Sequence, residues 1–267
     1  MSELQLGDAV GGGAFGMVRR AKFRGTDVAV KLLSGGSAMS AGAFRSEARM
    51  LARLRHPNVC LFMGASFDGT QWAIVTELVD GSLWDAIHDA GIAFSKKHQA
   101  HVALGIARGL AYLHAHTPPV LHRDIKSPNV LVDAGFHAVK LCDVGLAREA
   151  GAAAATMTVG CGTPQWMAPE VLNAEQYGAA ADVYSFGIVV AELLTRQCPY
   201  ADHPDLAGVA LALRVVHDGL RPTLPPGASP LADLAQRCWV AAPLQRPRMD
   251  ATLPLLERLV HEARLTE

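Results

Sequence analysis

His122-Arg123-Asp124-Ile125-Lys126-Ser127-Pro128-Asn129 is a polar loop that carries an ordered set of functional groups. A carboxylate at Asp124 and a carboxamide at Asn129 stand five residues apart, with the ammonium of Lys126 between them. The loop follows a helical stripe, Leu104, Ala107, Leu110 and Leu113, which is expected to end before Pro118-Pro119. Short apolar runs at Val120-Leu121, Val130 to Val132 and Val139 to Leu141 bracket it and read as strands. A loop that merely joins elements needs no such set.

Phosphoryl transfer does need it. The attacking hydroxyl must be oriented and its proton accepted, the phosphate charge neutralised, and a divalent cation held. Asp124 suits the first task, Lys126 the second and the Asn129 oxygen the third. Asp143, in Leu141-Cys142-Asp143-Val144-Gly145, supplies a second hard oxygen after a short strand. Asn129 and Asp143 together make the small oxygen set that Mg²⁺ accepts alongside water and phosphate.

Toward the N-terminus, Gly11-Gly12-Gly13-Ala14-Phe15-Gly16-Met17-Val18 contains GxGxxGxV, with Gly11, Gly13 and Gly16 as its glycines. The motif alone is weak. A dinucleotide-binding turn would have to open a helix, whereas a strand and a hairpin turn at Gly25-Thr26 are expected here. A flap between antiparallel strands, covering phosphates with backbone N–H groups, fits better. Val28-Ala29-Val30-Lys31 then sets a lysine on the next strand. Glu47 lies on a helix with Phe44, Met50, Leu51 and Leu54 that is expected to start near Ser40. A buried Lys31–Glu47 pair holding ATP phosphates would account for both charges.

The wider pattern is β-rich first and helical later. Period-two apolar residues run from Leu4 to Leu32, with further strands expected at Val59 to Met63 and Trp72 to Thr76. From about Tyr177 the spacing is mostly helical, broken by the Pro222 to Pro230 turn. The fold class expected is therefore α+β and bilobal. Residues 1–78 form a small antiparallel sheet lobe with one helix, and residues 79–267 a larger, mainly α-helical lobe.

Composition narrows the setting. The 24 basic and 25 acidic residues nearly cancel, which leaves no footprint for nucleic acid. Five scattered cysteines with no CxxC pair read as free thiols in a reducing compartment. The N-terminus lacks the signature of a signal peptide, and the most apolar stretch, Phe186 to Leu194, is short for a membrane span and contains Glu192. A cytoplasmic location without membrane insertion is expected.

With these motifs in order, the chain resembles eukaryotic protein kinases over its whole length, and within them the tyrosine-kinase-like group with its Raf-like and mixed-lineage members. Leu61-Phe62-Met63-Gly64, Gly162-Thr163-Pro164-Gln165-Trp166-Met167-Ala168-Pro169-Glu170 and Asp182-Val183-Tyr184-Ser185-Phe186-Gly187 carry that likeness. The resemblance implies one catalytic domain over 1–267, ATP and Mg²⁺ as cofactors, and protein substrates, another kinase among the candidates, within a signalling cascade. It makes Thr76 the gatekeeper and Glu77 to Val79 the hinge that bonds adenine, with Val18, Ala29 and Leu131 around the ring. It makes Glu170 and Arg246 an ion pair under the substrate-binding loop, and Asp182 a brace for the catalytic loop. Lys126 and Thr163-Pro164 match the serine/threonine pattern, with dual specificity open, and Thr156 and Thr158 are candidate phosphorylation sites. His114 and His116 read as capping or surface residues.

One departure stands out. The family's Asp-Phe-Gly is Asp143-Val144-Gly145 here, so the aromatic that would pack with Leu51, Phe62 and His122 is missing. Slow or strongly regulated catalysis is expected from that loss. A pseudokinase, binding nucleotide without transferring phosphate, is the alternative; the retained Lys31, Glu47, Asp124, Lys126, Asn129 and Asp143 argue against it. Cys142 beside Asp143 reads as a small buried apolar residue rather than a redox site.

Overall fold

Val28, Val30 and Leu32 alternate with Ala29 and Lys31, and the strand that carries them is two-faced. The computed structural model describes residues 3–13, 16–33, 41–67, 71–144, 164–227 and 229–265. In it, strands β1 (Leu4–Gly13), β2 (Gly16–Phe23), β3 (Thr26–Leu33), β4 (Phe62–Phe67) and β5 (Trp72–Glu77) form an antiparallel sheet in the order β1-β2-β3-β5-β4. Val28, Val30 and Leu32 pack with Ala21, Ala73 and Val75 into a core on one face. The register pairs Lys31 with Val18 and Ile74, and Ala29 with Thr76, so these residues share the other face.

Two backbone details shape the sheet. The β2–β3 turn falls at Arg24-Gly25, one residue before the expected Gly25-Thr26, because both positive φ angles (50° and 84°) belong to that pair. Gly16, which opens β2, has φ 135°, and a Cβ there would run into the Leu32 carbonyl oxygen, so the last glycine of the motif has no room for a side chain. The proposed cap Ser40 lies outside the described residues; helix α1 (Ala41–Leu51) itself sets Phe44 against Leu33 and Ile74. Val59 makes only an isolated bridge, and the strand expected from it begins at Phe62.

The helical lobe holds α2 (Leu83–His88), α3 (Lys96–His114), α4 (Pro169–Leu172), α5 (Ala179–Thr195), α6 (Gly208–His217), α7 (Pro230–Cys238) and α8 (Met249–Leu265). A small sheet of β6 (Gly81–Ser82), β7 (Val130–Val132) and β8 (Val139–Leu141) lies among them. Val120-Leu121 forms no strand, although the Val120 amide bonds the Leu113 carbonyl. The arrangement is the bilobal α+β fold expected from the sequence. Among the described residues, no helix is long and apolar enough to cross a membrane.

A close approach between α3 and β8 fixes the strand that leads to Asp143. A Cβ on Gly105 would come within 2.6 Å of the Val139 Cβ, and one on Gly109 within 2.7 Å of the Asn58 carbonyl oxygen. Asn58 in turn accepts from the Leu141 amide at 3.0 Å and donates through Nδ2 to Val139 at 2.9 Å. Leu141 then accepts from the Cys60 amide at 2.8 Å. The segment before β4 is thus stitched to β8, the strand of the other lobe that leads to Asp143.

Gly109→Ala is expected to destabilise the protein by about 1–3 kcal/mol through overpacking, partly offset by roughly 1 kcal/mol of helix propensity. Urea unfolding of parent and variant would measure the difference.

Candidate active site

The polar loop at residues 122–129 is shaped by a carboxylate that is not in it. Asp182, 2% exposed on α5, accepts from the His122 amide at 2.9 Å and the Arg123 amide at 2.8 Å, and its Oδ2 lies 2.9 Å from His114 Nε2. Burial opposes ionisation, but the His114 hydrogen bond and charge, His122 and the Arg123 amide outweigh it and hold the carboxyl below the ordinary aspartate value of 3.8. These bonds secure Arg123 in its left-handed conformation, φ 70°. His114 is therefore a member of the brace and not the surface or capping residue its helix-end position suggested. His116, whose Nδ1 is 3.0 Å from the Tyr112 carbonyl, does sit as a helix-end residue.

Within the loop, Asp124 gathers its neighbours. Asn129 Nδ2 donates to both the Asp124 carbonyl and Oδ2 at 2.7 Å, and Lys126 Nζ is 2.8 Å from the same Oδ2. With its amide nitrogen spent on Asp124, Asn129 has its side-chain oxygen left for a cation. His122 is wholly buried beneath them, and desolvation holds its imidazole below the ordinary 6.5 despite the pull of Asp182, Asp124 and Asp143.

The sheet lobe delivers Lys31 to the same place. Its Nζ is 2.6 Å from Asp143 Oδ2, an ion pair 12% and 32% exposed that spans 112 residues of sequence. Asp143 has φ 60°, a second left-handed non-glycine residue at the centre of the site. Glu47 is 8% exposed on α1. Asp143 and the Asn129 oxygen are hard ligands of the kind Mg²⁺ takes, so the donor set fits that cation.

The strip joining the lobes has a defined polarity. The Glu77 amide donates to Leu61 at 3.0 Å, so it is committed to the sheet; its carboxylate accepts from the Leu61 amide at 2.7 Å and pairs with Lys140 at 2.9 Å. Among the described residues, no hydrogen bond engages the backbone of Val79, which leaves an N–H and a carbonyl for a planar base. Val18, Ala29, Thr76 and Leu131 are partly buried, as a cleft lining requires. Gly11 has open space where a Cβ would stand. Beside them, burial and then the Glu77 charge push the Cys60 thiol up to about 12. Burial, followed by the charges of Asp143 and Cys60, raises Cys142 well above 9.0. Both stay protonated, in keeping with an inert role.

Beneath the cleft, Arg246 spends all five guanidinium hydrogens. It holds Glu170 through two bonds of 2.6 and 2.8 Å and donates to the Val240, Ala180 and Ala241 carbonyls. Leu51 packs against the cores of both lobes, and Val144 is 3% exposed within the larger one. Gly145, Thr156, Thr158 and Thr163 lie outside the described residues.

Sequence reasoning passed over Glu192, Ser127, Trp166 and His88, which form one cluster under the loop. The signal was available: an acidic residue in the otherwise apolar run Phe186 to Leu194 has to find partners when that run is buried.

The chain matches the family described as protein tyrosine and serine/threonine kinase over residues 4–256. It is 37% identical to the serine/threonine-protein kinase CTR1 of Arabidopsis thaliana over 98% of its length, covering 32% of that protein. It is 36% identical to the dual specificity protein kinase shkC of Dictyostelium discoideum, covering 99% of this chain and 53% of the relative. It is also 36% identical to bovine mitogen-activated protein kinase kinase kinase 7, covering 97% and 44% respectively. The chain thus spans between a third and about half of these relatives.

The depressed Asp182 carboxyl gives a pH prediction. Its stabilisation is complete above the ordinary aspartate value of 3.8 and is lost as pH falls through the lower native value. Asp182→Asn should therefore be less stable than the parent near neutrality, and the gap should shrink as pH drops below 3.8. Urea midpoints across pH 7 to 3 would show it; a gap independent of pH would refute it.

Proposed function

Because the chain belongs to the protein tyrosine and serine/threonine kinase family, we propose that it transfers the γ-phosphoryl group of ATP, held with Mg²⁺, to serine and threonine hydroxyls of protein substrates. The observation that carries this reading is the convergence of Lys126 and Asn129 on the Asp124 carboxylate, with Asp143 held by Lys31 across the cleft. Nucleotide binding alone would not need Lys126 and Asn129 gathered on one carboxylate.

In this reading Asp124 orients the acceptor hydroxyl and takes its proton. Lys126 offsets charge on the transferred group, and its contact with Asp124 keeps both on the acceptor side. Asn129 and Asp143 hold Mg²⁺, which when bound neutralises phosphate charge. Lys31, supported by Glu47 from α1, positions the phosphates under Gly11, Gly13 and Gly16. The free backbone of Val79, with the Glu77 carbonyl and Thr76, meets the adenine, which Val18, Ala29 and Leu131 enclose.

In this proposal residues 1–78 and 79–267 are the two lobes of one catalytic domain. A cytoplasmic signalling role follows from the resemblance, and the name of the third relative supports a kinase as one substrate class. Val144 in place of an aromatic gives slow turnover.

The decisive experiment is transfer of labelled γ-phosphate from ATP with Mg²⁺ to the protein itself and to a generic protein, beside Asp124→Asn. Loss of about 10²–10⁴-fold in the variant, with nucleotide binding kept, is the expected result. Phosphoamino-acid analysis should return phosphoserine and phosphothreonine. A parent that binds ATP and transfers nothing would sink the proposal. Val144→Phe should raise turnover while costing about 1–3 kcal/mol of stability, since neighbours already close over the valine. No change in either quantity would contradict the slow-turnover reading.

A further inference from the structure

His101, Leu104 and Arg108 lie at i, i+3 and i+7 on α3, and Glu257, Val260 and Arg264 repeat that spacing on α8. The two stripes face each other across a surface cleft of about 290 Å³, which His261 also lines. Leu104 and Val260, 4% and 6% exposed, make its apolar floor. At one end Arg108 Nη2 meets Glu257 Oε1 at 2.9 Å, and at the other His101 feels the charge of Arg264, so the stripes run in opposite directions.

The His101 end is cationic. Burial holds the His101 imidazole below its ordinary 6.5, and the charges of Arg264, His137 and Arg108 add to that, outweighing the hydrogen bond it gives the His137 carbonyl. No acid is among those influences. Helix α3 has no aspartate or glutamate to offer. Among the described residues Arg264 makes no ion pair, whereas Arg258 on the same helix has Glu262 at 3.8 Å. The cleft thus gathers two guanidiniums and two imidazoles around one acid.

Three features select the anion that would complete it. The volume is at the lower end of the roughly 300–1,000 Å³ of ligand pockets, which suits a single side chain rather than a nucleotide. Two guanidiniums match the several oxygens of a phosphate through paired bonds. The floor of Leu104 and Val260 offers contact to an alkyl stem, which an inorganic ion lacks. Arg108 is available, because its pair with Glu257 is about half exposed on both sides (44% and 51%) and an ion pair of that exposure is weak.

We propose that the cleft between α3 and α8 binds the phosphate group of a phosphoserine or phosphothreonine side chain, with Arg264 and Arg108 as its principal ligands. Such a side chain is the product class of the transfer reaction proposed above, and only this choice of occupant rests on that reading. None of the cleft's residues belongs to the candidate active site. The enzyme would therefore hold a phosphorylated protein at one site while acting on a further hydroxyl at the other.

The test is fluorescence anisotropy of the full chain with a short labelled peptide carrying one phosphothreonine, beside the same peptide unphosphorylated. Binding should require the phosphate and weaken as salt is raised. Arg264→Ala should weaken it about tenfold or more, the scale of one charge-assisted contact. Glu257→Gln should tighten it about threefold, since it removes the acid that competes for Arg108. Inorganic phosphate should displace the label only at concentrations about tenfold above those of unlabelled phosphopeptide, because it leaves the apolar floor unused. Circular dichroism checks that each variant is folded; should Arg264→Ala unfold, Glu257→Gln carries the test, and affinity no tighter than the parent's overturns the proposal. Equal binding of the two peptides, or parent affinity in folded Arg264→Ala, overturns it as well. So does inorganic phosphate that matches the phosphopeptide, which would make the cleft a site for the free ion. Failure of the kinase reading would appear instead as absent transfer from ATP, a step that the binding measurement does not involve.

Discussion

Two backbone amides, those of His122 and Arg123, are held by the Asp182 carboxylate inside the protein, and the geometry of the loop at residues 122–129 follows from it. Arg123 sits in a left-handed conformation that costs roughly 1–3 kcal/mol for a non-glycine residue. Such a turn survives only where other bonds over-determine it, and Asp182 provides them along with the link to His114. The chain thereby enters the loop with the Asp124 carboxylate against Lys126 and Asn129. Glu192 lies ten residues further along the same helix, about 15 Å of rise, and meets the loop again at Ser127. A single rigid helix with two buried carboxylates therefore gauges both the start and the middle of the loop.

The sheet lobe reaches that loop by a different route. Strand pairing puts Val18, Ala29, Lys31 and Thr76 on one face, and the register admits no half-measures: a slip of one residue would bury Lys31 in the small apolar core. Once that face is set, the Lys31–Asp143 ion pair ties strand β3 to the residue after β8. A partly buried pair of this kind is weak evidence for stability, since desolvation cancels much of its attraction. Its value lies in placement. The bonds of Asn58 and Cys60 to β8 fix the same two lobes from behind, so Asp143 is located by the backbone as well as by charge.

Much of this was legible because it is local. Period-two alternation predicted the strands, and the spacing of Asp124, Lys126 and Asn129 identified a loop whose side chains the structure brings onto one carboxylate. Strand ends were less legible, since Val59 and Val120 have strand-like side chains but find only a bridge and a single turn bond. The hairpin turn was misplaced by one residue because Arg24 gives no sign of its positive φ. The distant partners were the least legible. His114 reads as a helix-end residue until Asp182, 68 positions away, is folded beside it. Glu192 reads as an interruption in an apolar run until Ser127, Trp166 and His88 converge on it.

Apolar residues of similar volume at 182 and 192 would avoid the desolvation cost, and buried ion networks are often replaceable without loss of stability. What such residues would lack is direction. A leucine can pack against the loop in several rotamers, whereas a carboxylate that accepts two backbone amides or a hydroxyl and an indole is satisfied in only one arrangement. Transfer chemistry is sensitive to ångström displacements of the reacting groups. On this helix the acids stand only where it meets the loop and the turn before α4, so each carboxylate fixes a direction as well as filling space. The contrast with Arg246 and Glu170 supports the point: there the guanidinium uses every hydrogen on fixed acceptors, and a bidentate pair sets the orientation of α4 in the same way. Orientation, rather than added stability, is the common product of the buried charges in this lobe.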